Sequence, residues 1–365
     1  MRAFELFMVG VILTLYVYIF YRLWRMMPPN IIGRTMLISI GVFVVAAPFI
    51  AGLAGDFLPK QVSVFISRIG TSCFFILIYF LLLFLIMDLF RITRLFPIEK
   101  FMYNNWLSLV IVVLSVSIVM VSGYCTYLNK KRIELNIVTD KLETGTDIKI
   151  VAISDLHLGN NIGSDELKHW VDLINKENPD IVLIAGDIVD NVVSPLYKQK
   201  MDSLFREIKS RYGVFTIMGN HEYFDSHSID FINDAGITLL RDSAAIIDNR
   251  FYVVGRDDKS KKDRKTIDTL IKDLDSSKPI ILLDHQPTEL DKTEKNNIDL
   301  QISGHTHYGQ IFPLSLITKA LYEKPHGYLK KGNSHIYVSS GIGIYGGKFR
   351  IGTRSEYVVI HLRNQ

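Results

Sequence analysis

Five apolar runs in the second part of the chain each stop abruptly at aspartate, asparagine or histidine. The runs have the length and the β-branched content of buried strands. With their polar ends they cover residues 148–157, 180–190, 214–222, 279–287 and 300–307. Ligands bind at the carboxyl ends of the strands in open α/β sheets. We therefore expect the five polar ends to share one site.

The polar ends supply carboxylates, an amide and imidazoles. These are ligands that suit Mn, Fe or Zn, and the lack of thiolates among them disfavours a structural zinc site. Taken singly, Asp187 and Asp190 fit turn or helix-cap positions, and His285 fits a turn before Gln286 and Pro287. Taken together, the five endings favour a metal site.

The first 128 residues predict a transmembrane region of four helices. Four uncharged apolar stretches cover residues 6–21, 35–55, 69–87 and 106–123. A helix needs about 20 apolar residues to cross the hydrocarbon layer, and the first stretch is slightly short. A buried helical bundle is the alternative interpretation. A cleaved signal peptide is disfavoured, because no small-residue cleavage site follows the first stretch.

Charge separates the two parts of the chain. Residues 1–128 carry nine Lys and Arg against four Asp and Glu, whereas the other 237 residues carry 32 and 33. The formal charge of +4 thus belongs to the apolar part. Nucleic-acid binding would need a basic patch on the polar domain, so we expect no nucleic-acid partner. The expected partner of the apolar part is the lipid bilayer.

The loops between the apolar stretches predict the orientation in a cell membrane. Short loops on one side carry Arg22, Arg25, Arg34, Arg91, Arg94 and Lys100. Positive residues in short loops favour the cytoplasmic side, which would make the protein multi-pass with an extracytoplasmic polar domain. The basic cluster at residues 130–132 argues for the opposite orientation.

The polar part alternates apolar runs with amphipathic segments, which predicts an α/β domain over residues 147–365. Residues 129–146 are expected to be a linker. Helices are predicted over residues 165–177, 197–211, 228–235 and 266–274, and further strands over 252–255, 335–340 and 357–362.

The motifs in this part resemble those of the calcineurin-like metallophosphoesterases over residues 147–363. They are Asp155-x-His157, Gly186-Asp187, Gly219-Asn220-His221-Glu222, His285 and Gly304-His305-x-His307. The sequence is most similar to the small bacterial membrane-associated branch, in which some members cleave pyrophosphate-linked lipids. The resemblance implies a β-sandwich flanked by helices.

The resemblance also implies two divalent metal ions that clamp a phosphoryl group and activate water. One ion would be held by Asp155, His157, Asp187 and His307. The other would be held by Asp187, Asn220, His285 and His305, with Asp187 bridging. His221 would be the histidine that acts on the transition state or leaving oxygen without binding metal, and Asp190 the carboxylate that orients it.

Two departures from the family pattern bear on the substrate. Asn191 and Val192 replace the Arg-Gly of protein phosphatases, which disfavours a phosphoprotein. Tyr308 replaces a glycine of the bacterial branch, where its ring would narrow the site or stack on a substrate.

The primary hypothesis for the function is hydrolysis of a lipid-linked phosphodiester or pyrophosphate. A soluble phosphodiester or nucleotide is the second, and a non-hydrolytic metal-binding sensor is the third.

An apolar stretch follows the last histidine pair, over residues 311–322. Lys324, Lys330 and Lys331 come after it. The stretch is expected either to meet lipid, with the lysines at anionic head groups, or to pack as an ordinary core segment.

Overall fold

The computed structural model describes residues 3–54 and 58–364. Met1, Gly55 and Gln365, which bound regions expected from the sequence, lie outside the described residues. The chain divides into two compact units. The first comprises the residues up to Tyr124 and the segment Gly346–Phe349, and the second comprises Cys125–Tyr345 and the residues from Arg350 onward.

The first unit is helical. Its apolar sequence contains few breaks, so the helices are long and are separated by short turns. They are α1 (Ala3–Met26), α2 (Ile31–Ala54), α3 (Lys60–Thr93), α4 (Glu99–Met102) and α5 (Trp106–Leu128).

Two described helical segments are long and apolar enough to cross a bilayer, Gln61–Thr93 and Trp106–Leu128. In the most apolar part of each segment, 22% of the residues are buried in Gln61–Thr93 and 33% in Trp106–Leu128. A core helix of a soluble protein would be mostly buried. Ile31–Ala47 is a shorter apolar segment. Two of the four spans expected from the sequence thus correspond to helical segments that are both long enough and apolar enough to cross a bilayer.

The second unit alternates strands and helices. Its strands are β1 (Lys131–Val138), β2 (Asp147–Ile153), β3 (Ile181–Ile184), β4 (Val214–Thr216), β5 (Thr238–Leu239), β6 (Ser243–Ile247), β7 (Phe251–Gly255), β8 (Ile280–Leu283), β9 (Leu300–Ser303), β10 (Gly327–Lys331), β11 (Ser334–Val338) and β12 (Glu356–Arg363). Its helices are α6 (Ser164–Lys176), α7 (Ser194–Lys198), α8 (Met201–Phe205), α9 (Ser228–Asp234), α10 (Ile267–Ile271), α11 (Leu290–Lys295) and α12 (Leu314–Leu321). The α/β class expected from the sequence is confirmed.

The strands form two six-stranded mixed sheets. The first has the order β1-β12-β2-β3-β4-β5, and the second has the order β10-β11-β9-β8-β7-β6. Strands β2 to β5 pair in parallel, and β12 runs antiparallel to β2. In the second sheet β7, β8, β9 and β11 are parallel, and the edge strands β6 and β10 are antiparallel to their neighbours. Parallel strands bring their carboxyl ends to one edge of each sheet.

One apolar core lies between the two sheets. It combines Ile150 and Leu183 of the first sheet with Ile281 and Ile302 of the second, all almost fully buried. A second core on the other face of the first sheet is built around Trp170 of α6. Strands covered on both faces need apolar side chains at every position, which explains the continuous apolar sequences of β3 and β8.

The segment expected to be a linker contains β1. Lys131–Val138 pairs in parallel with Glu356–Arg363 along its whole length, so this segment completes the edge of the first sheet. Ile133, Leu135 and Ile137 pack on the core between the sheets. They alternate with Arg132, Glu134 and Asn136, and this two-residue period is the signal that identifies the strand.

Candidate metal centre

The candidate site lies where five strands end. Three of them, β2, β3 and β4, belong to the first sheet, and β8 and β9 belong to the second. The sequence predicted one shared site, and the structure divides its walls between two sheets. The candidate side chains follow these strands directly: Asp155, His157, Asp187, Asp190, Asn220, His221, His285, His305 and His307.

Asp155, His157 and His307 form one group that could hold a metal ion. The Nε2 atoms of His157 and His307 lie 3.0 Å apart. Nε2 of His307 lies 3.6 Å from Oδ1 of Asp155. Nε2 of His157 also lies 3.6 Å from Oδ2 of Asp187. These atoms converge on one point from three different strand ends.

Asp187, His285 and His305 form a second group. Nε2 of His285 lies 3.2 Å from Oδ2 of Asp187, the same oxygen that faces His157. Nδ1 of His305 lies 2.9 Å from the side-chain oxygen of Asn220, which adds an amide ligand to this side. Asp187 therefore stands between the two groups.

The atoms of the site fit divalent metal ions. Nε2 of His285, which faces Asp187, is buried and has no hydrogen-bond partner among the described residues. Buried polar atoms are normally paired, so this nitrogen indicates a missing partner. Imidazole nitrogens with carboxylate and amide oxygens suit Mn, Fe or Zn, and the two cysteines, Cys73 and Cys125, lie outside the site.

The backbone at the site adopts conformations that side-chain-bearing residues usually avoid. Asp155, His157, Asp187, His305 and His307 all have positive φ, between 46° and 68°. Left-handed backbone costs a non-glycine residue about 1–2 kcal/mol. Such positions concentrate at functional sites, where the surrounding fold holds them in place.

Two glycines let the carboxylates fit against the backbone. A Cβ atom on Gly219 would lie 2.1 Å from Oδ1 of Asp187, and one on Gly304 would lie 2.4 Å from Oδ2 of Asp155. Both distances are far below van der Waals contact. The glycines of the motifs are therefore needed to seat the two aspartates.

Comparison with known proteins agrees with this geometry. The family model described as calcineurin-like phosphoesterase matches residues 148–309. An uncharacterized metallophosphoesterase of Aquifex aeolicus is 32% identical over 236 residues, which are 62% of this chain and 89% of that protein. The chain belongs to the calcineurin-like phosphoesterases. The resemblance inferred from the motifs is confirmed.

Two longer relatives are matched over part of their length. An uncharacterized metallophosphoesterase of Helicobacter pylori strain J99 is 36% identical over 242 residues, 63% of this chain and 63% of that protein. A Danio rerio protein named transmembrane protein with metallophosphoesterase domain is 30% identical over 252 residues, 64% of this chain and 57% of that protein. The chain thus spans about three fifths of the length of these two relatives.

Electrostatics keep Asp187 ionised and two of the candidate histidines neutral. Burial opposes the charge of Asp187, but His285 and His157 hold the pKa of this carboxyl below its usual range. Burial lowers the pKa of His305 to about 4. Burial, with the neighbouring His157, also lowers the pKa of His307 well below its usual value. His305 and His307 are therefore neutral at pH 7, the form that binds metal.

His221 lies against the first group, with its ring centroid 4.5 Å from that of His157. Its Nδ1 donates to the backbone carbonyl of Asp190, while the Asp190 carboxylate stays 3.9 Å away from the same nitrogen. The resemblance implied that the carboxylate orients this imidazole, and in the structure the backbone carbonyl makes that contact. Rings of Phe224 and Tyr345 flank His221, with centroids 4.9 and 5.2 Å away.

Glu222 is the functional residue whose role the sequence did not reveal. Its side chain is buried, and its two oxygens accept three backbone N–H groups. Oε2 accepts from Asp187 at 3.0 Å and Gly219 at 2.6 Å, and Oε1 accepts from Val189 at 3.0 Å. Burial and the Asp187 charge raise the pKa of Glu222 to about 7. The carboxylate ties the loops after β3 and β4 together behind the metal-facing side chains.

A buried ion-pair network holds the loop that carries His285. Asp284 precedes it and bonds Arg256 and Arg264, each at 3.0 Å. Nδ1 of His285 donates to the carbonyl of Ala185 at 2.7 Å, so Nε2 is left to face Asp187. A hydrogen bond from the second ring nitrogen fixes the orientation of a metal-binding histidine. Arg256 therefore lies one layer behind the metal-facing side chains, against Asp284.

Tyr308 points its ring away from the metal-facing atoms. It stacks on His326, with centroids 4.9 Å apart and planes at 22°. Nε2 of His326 contacts both oxygens of the buried Glu356 at 3.1 Å. The other histidines without a motif position also lie outside the two groups: His169, His227, His335 and His361.

Proposed function

We propose that the protein is a membrane-anchored phosphoesterase that uses two divalent metal ions to hydrolyse a phosphodiester or pyrophosphate bond. The observation that carries the proposal is the position of Asp187. One of its carboxylate oxygens faces His157 of one group and His285 of the other. A carboxylate placed between two sets of ligands suits a bridging role between two ions.

The proposed ligands divide between the two ions as the motifs imply. Asp155, His157, Asp187 and His307 would hold one ion, and Asp187, Asn220, His285 and His305 the other. The donor set suits Mn, Fe or Zn. When bound, such a pair of ions neutralises charge on a phosphoryl group and lowers the pKa of a bound water.

His221 is proposed to handle the proton of the leaving oxygen. Because Nδ1 donates to the Asp190 carbonyl, Nε2 is the nitrogen left to exchange a proton with substrate. General acids of this kind contribute about 10²–10⁴-fold to turnover. Phe224 and Tyr345 restrict the ring from the sides, which keeps Nε2 aimed into the site.

The membrane anchor is proposed to consist of four spans. Gln61–Thr93 and Trp106–Leu128 carry the strongest support. Helices α1 and α2 are each 24 residues long, which exceeds the roughly 20 residues that a span requires. The name of the Danio rerio relative also favours an anchored domain. The short basic loops favour an extracytoplasmic site.

A lipid-linked substrate is the hypothesis we favour, because an anchored enzyme meets its substrate where lipids are concentrated. A soluble phosphodiester or nucleotide is the alternative, with the helices serving only as an anchor. A non-hydrolytic sensor is disfavoured, since every motif residue that could bind metal is present and the structure brings these residues together.

The test uses the full chain purified in detergent. Asp187→Asn and His305→Ala are expected to abolish hydrolysis of an aryl phosphodiester and to lower the metal content measured by mass spectrometry. Asp172→Asn and His169→Ala change the same residue types at exposed positions and should leave both readings unchanged. Full activity in either site variant would exclude the two-metal mechanism.

The substrate class needs a second comparison. The wild-type chain is assayed on a lipid pyrophosphate in mixed micelles and on a soluble cyclic or linear nucleotide diester. Preference for the lipid supports the favoured hypothesis, and preference for the nucleotide supports the alternative. Metal binding without hydrolysis of any ester would support the sensor.

A further inference from the structure

Helix α12 exposes three large apolar side chains, unlike an ordinary surface helix. Leu316, Ile317 and Leu321 are 53%, 55% and 72% exposed. The side turned to the domain carries Ser315, which is buried, and Thr318, whose hydroxyl donates to the Ser315 carbonyl. A soluble surface helix places its apolar residues inward and its polar residues outward. The sequence left open whether this stretch is core. The exposure of Leu316, Ile317 and Leu321 excludes that interpretation for one face of the helix, whereas Ile311 before the helix is buried.

The exposed leucines and isoleucine occupy one face of the helix. Ile317 and Leu321 are four residues apart, so their side chains lie one above the other on the helix. Leu316 directly precedes Ile317 and lies on the adjoining part of the same side. Phe312, just before the helix, is 49% exposed. We call Phe312, Leu316, Ile317 and Leu321 the α12 apolar face. Contiguous exposed apolar surface of this kind marks a binding surface for a membrane or another molecule.

The α12 apolar face lies beside the candidate metal centre. The helix begins five residues after Gly309, which ends the short helical turn of His307. Nζ of Lys319 lies 5.6 Å from the ring centroid of Tyr308, the neighbour of His307. The ring of Tyr322, which directly follows α12, lies 6.4 Å from the ring of His305. A molecule bound to the apolar face would therefore reach the edge of the site.

Charge around the α12 apolar face favours an anionic lipid surface as the occupant. Residues 319–331 carry four lysines and one glutamate. Lys319 and Lys330 are exposed, whereas Lys331 pairs with Glu323 at 2.8 Å and also with Asp291. Apolar side chains that enter the acyl boundary with lysines at head-group level form the pattern of an interfacial helix. Each lysine near an anionic surface adds about 1 kcal/mol of attraction.

We propose that the α12 apolar face inserts into the surface of an anionic bilayer and so places the mouth of the metal centre at head-group level. This inference rests on the membrane anchoring in the proposed function, since the same chain carries two candidate spans. A phosphoryl group at the head of a lipid would then reach the site without its acyl chains leaving the bilayer. A soluble partner or a second copy of the chain would be an alternative occupant.

The experiment places a fluorescent reporter on the α12 apolar face of the full chain. Cys73 and Cys125 are replaced by serine, and Leu316→Cys carries an environment-sensitive nitrobenzoxadiazole label. The matched control is Asp273→Cys, because the Asp273 side chain is 86% exposed. Leu321→Cys provides an independent second position. Each protein is reconstituted at one copy per nanodisc of phosphatidylcholine and phosphatidylglycerol.

The labels on α12 are expected to emit at shorter wavelength and to be several-fold less quenched by iodide than the label at position 273. Nitroxide groups on the lipid acyl chains should quench the α12 labels selectively. A lower phosphatidylglycerol fraction should weaken both effects, because fewer head groups then attract the lysines.

Three outcomes would overturn the inference. Iodide quenching equal to the control would place the helix in water. Protection from iodide without quenching by lipid nitroxides would mean that protein covers the face. Protection that appears only with two copies per disc would identify a second copy as the occupant. None of these readings depends on hydrolysis, and failure of the chain to enter discs would instead refute the anchoring itself.

Discussion

Glu222→Gln is expected to weaken metal binding by about 10–100-fold, the usual effect of changing a residue behind the ligands. Glutamine can retain the oxygen that accepts from Asp187 and Gly219. The amide nitrogen of the glutamine would then face the backbone N–H of Val189. In the wild-type protein this N–H donates to the second carboxylate oxygen of Glu222. One buried N–H group loses its acceptor, at a cost of about 1–3 kcal/mol.

The two magnitudes agree with each other. About 1.4 kcal/mol corresponds to a tenfold change in an equilibrium constant, so the lost acceptor amounts to roughly 5–150-fold. The cost is expected to fall on metal affinity because the ions require the Asp187 loop in its strained conformation, with φ of 55°. In the Glu222→Gln protein we expect the ion-free loop to relax, so that metal binding must restore the strained form.

The measurement is a competition titration of Zn²⁺ between the detergent-solubilised chain and a chelator of known affinity. Glu207→Gln is the matched control, because Glu207 is exposed. Far-ultraviolet circular dichroism of both variants separates a local effect from global unfolding. Wild-type zinc affinity in a folded Glu222→Gln protein would refute the view that this carboxylate holds the loop.

The remaining predictions concern the leaving group and the membrane side. His221→Asn is expected to keep near-normal metal content while turnover falls by about 10²–10⁴-fold, with a smaller loss for p-nitrophenyl esters, whose leaving oxygen needs little protonation. An equal loss for every leaving group would argue against the acid role, and loss of metal would make His221 a ligand. Protease added to intact cells is expected to digest residues 130–365, and protection until lysis would reverse the orientation.

The features that the sequence predicted correctly are local ones. An apolar run that ends at Asp-x-His or Gly-Asp identifies both a buried strand and the residues at its end. Both features can be read locally, because the apolar run and the polar residues that end it lie within about ten residues. The α/β class follows from these runs, and the resemblance to the family is carried by the motif residues that end them. The structure brings Asp187, His285 and His305 together, three residues that follow three different strands.

The features that the sequence could not predict depend on distant pairing. Nothing in the order of the strands indicates that β2, β3 and β4 lie in one sheet and β8 and β9 in the other. Strand β1 pairs with β12, more than 200 residues further along the chain. Glu222 acts through backbone N–H groups of three loop residues, and backbone groups leave no mark on composition.

Tyr308 shows how a departure from a family pattern gains a physical explanation only in the structure. Its φ is 51°, a left-handed value that glycine adopts without strain and that costs another residue about 1–2 kcal/mol. The glycine expected at this position thus reflects the backbone and not a need for open space above the ions. Stacking of the ring on His326 and its contact with Lys319 offset the strain and turn the ring towards α12. Tyr308 therefore links the turn that carries His307 to His326 on one side and to Lys319 of α12 on the other.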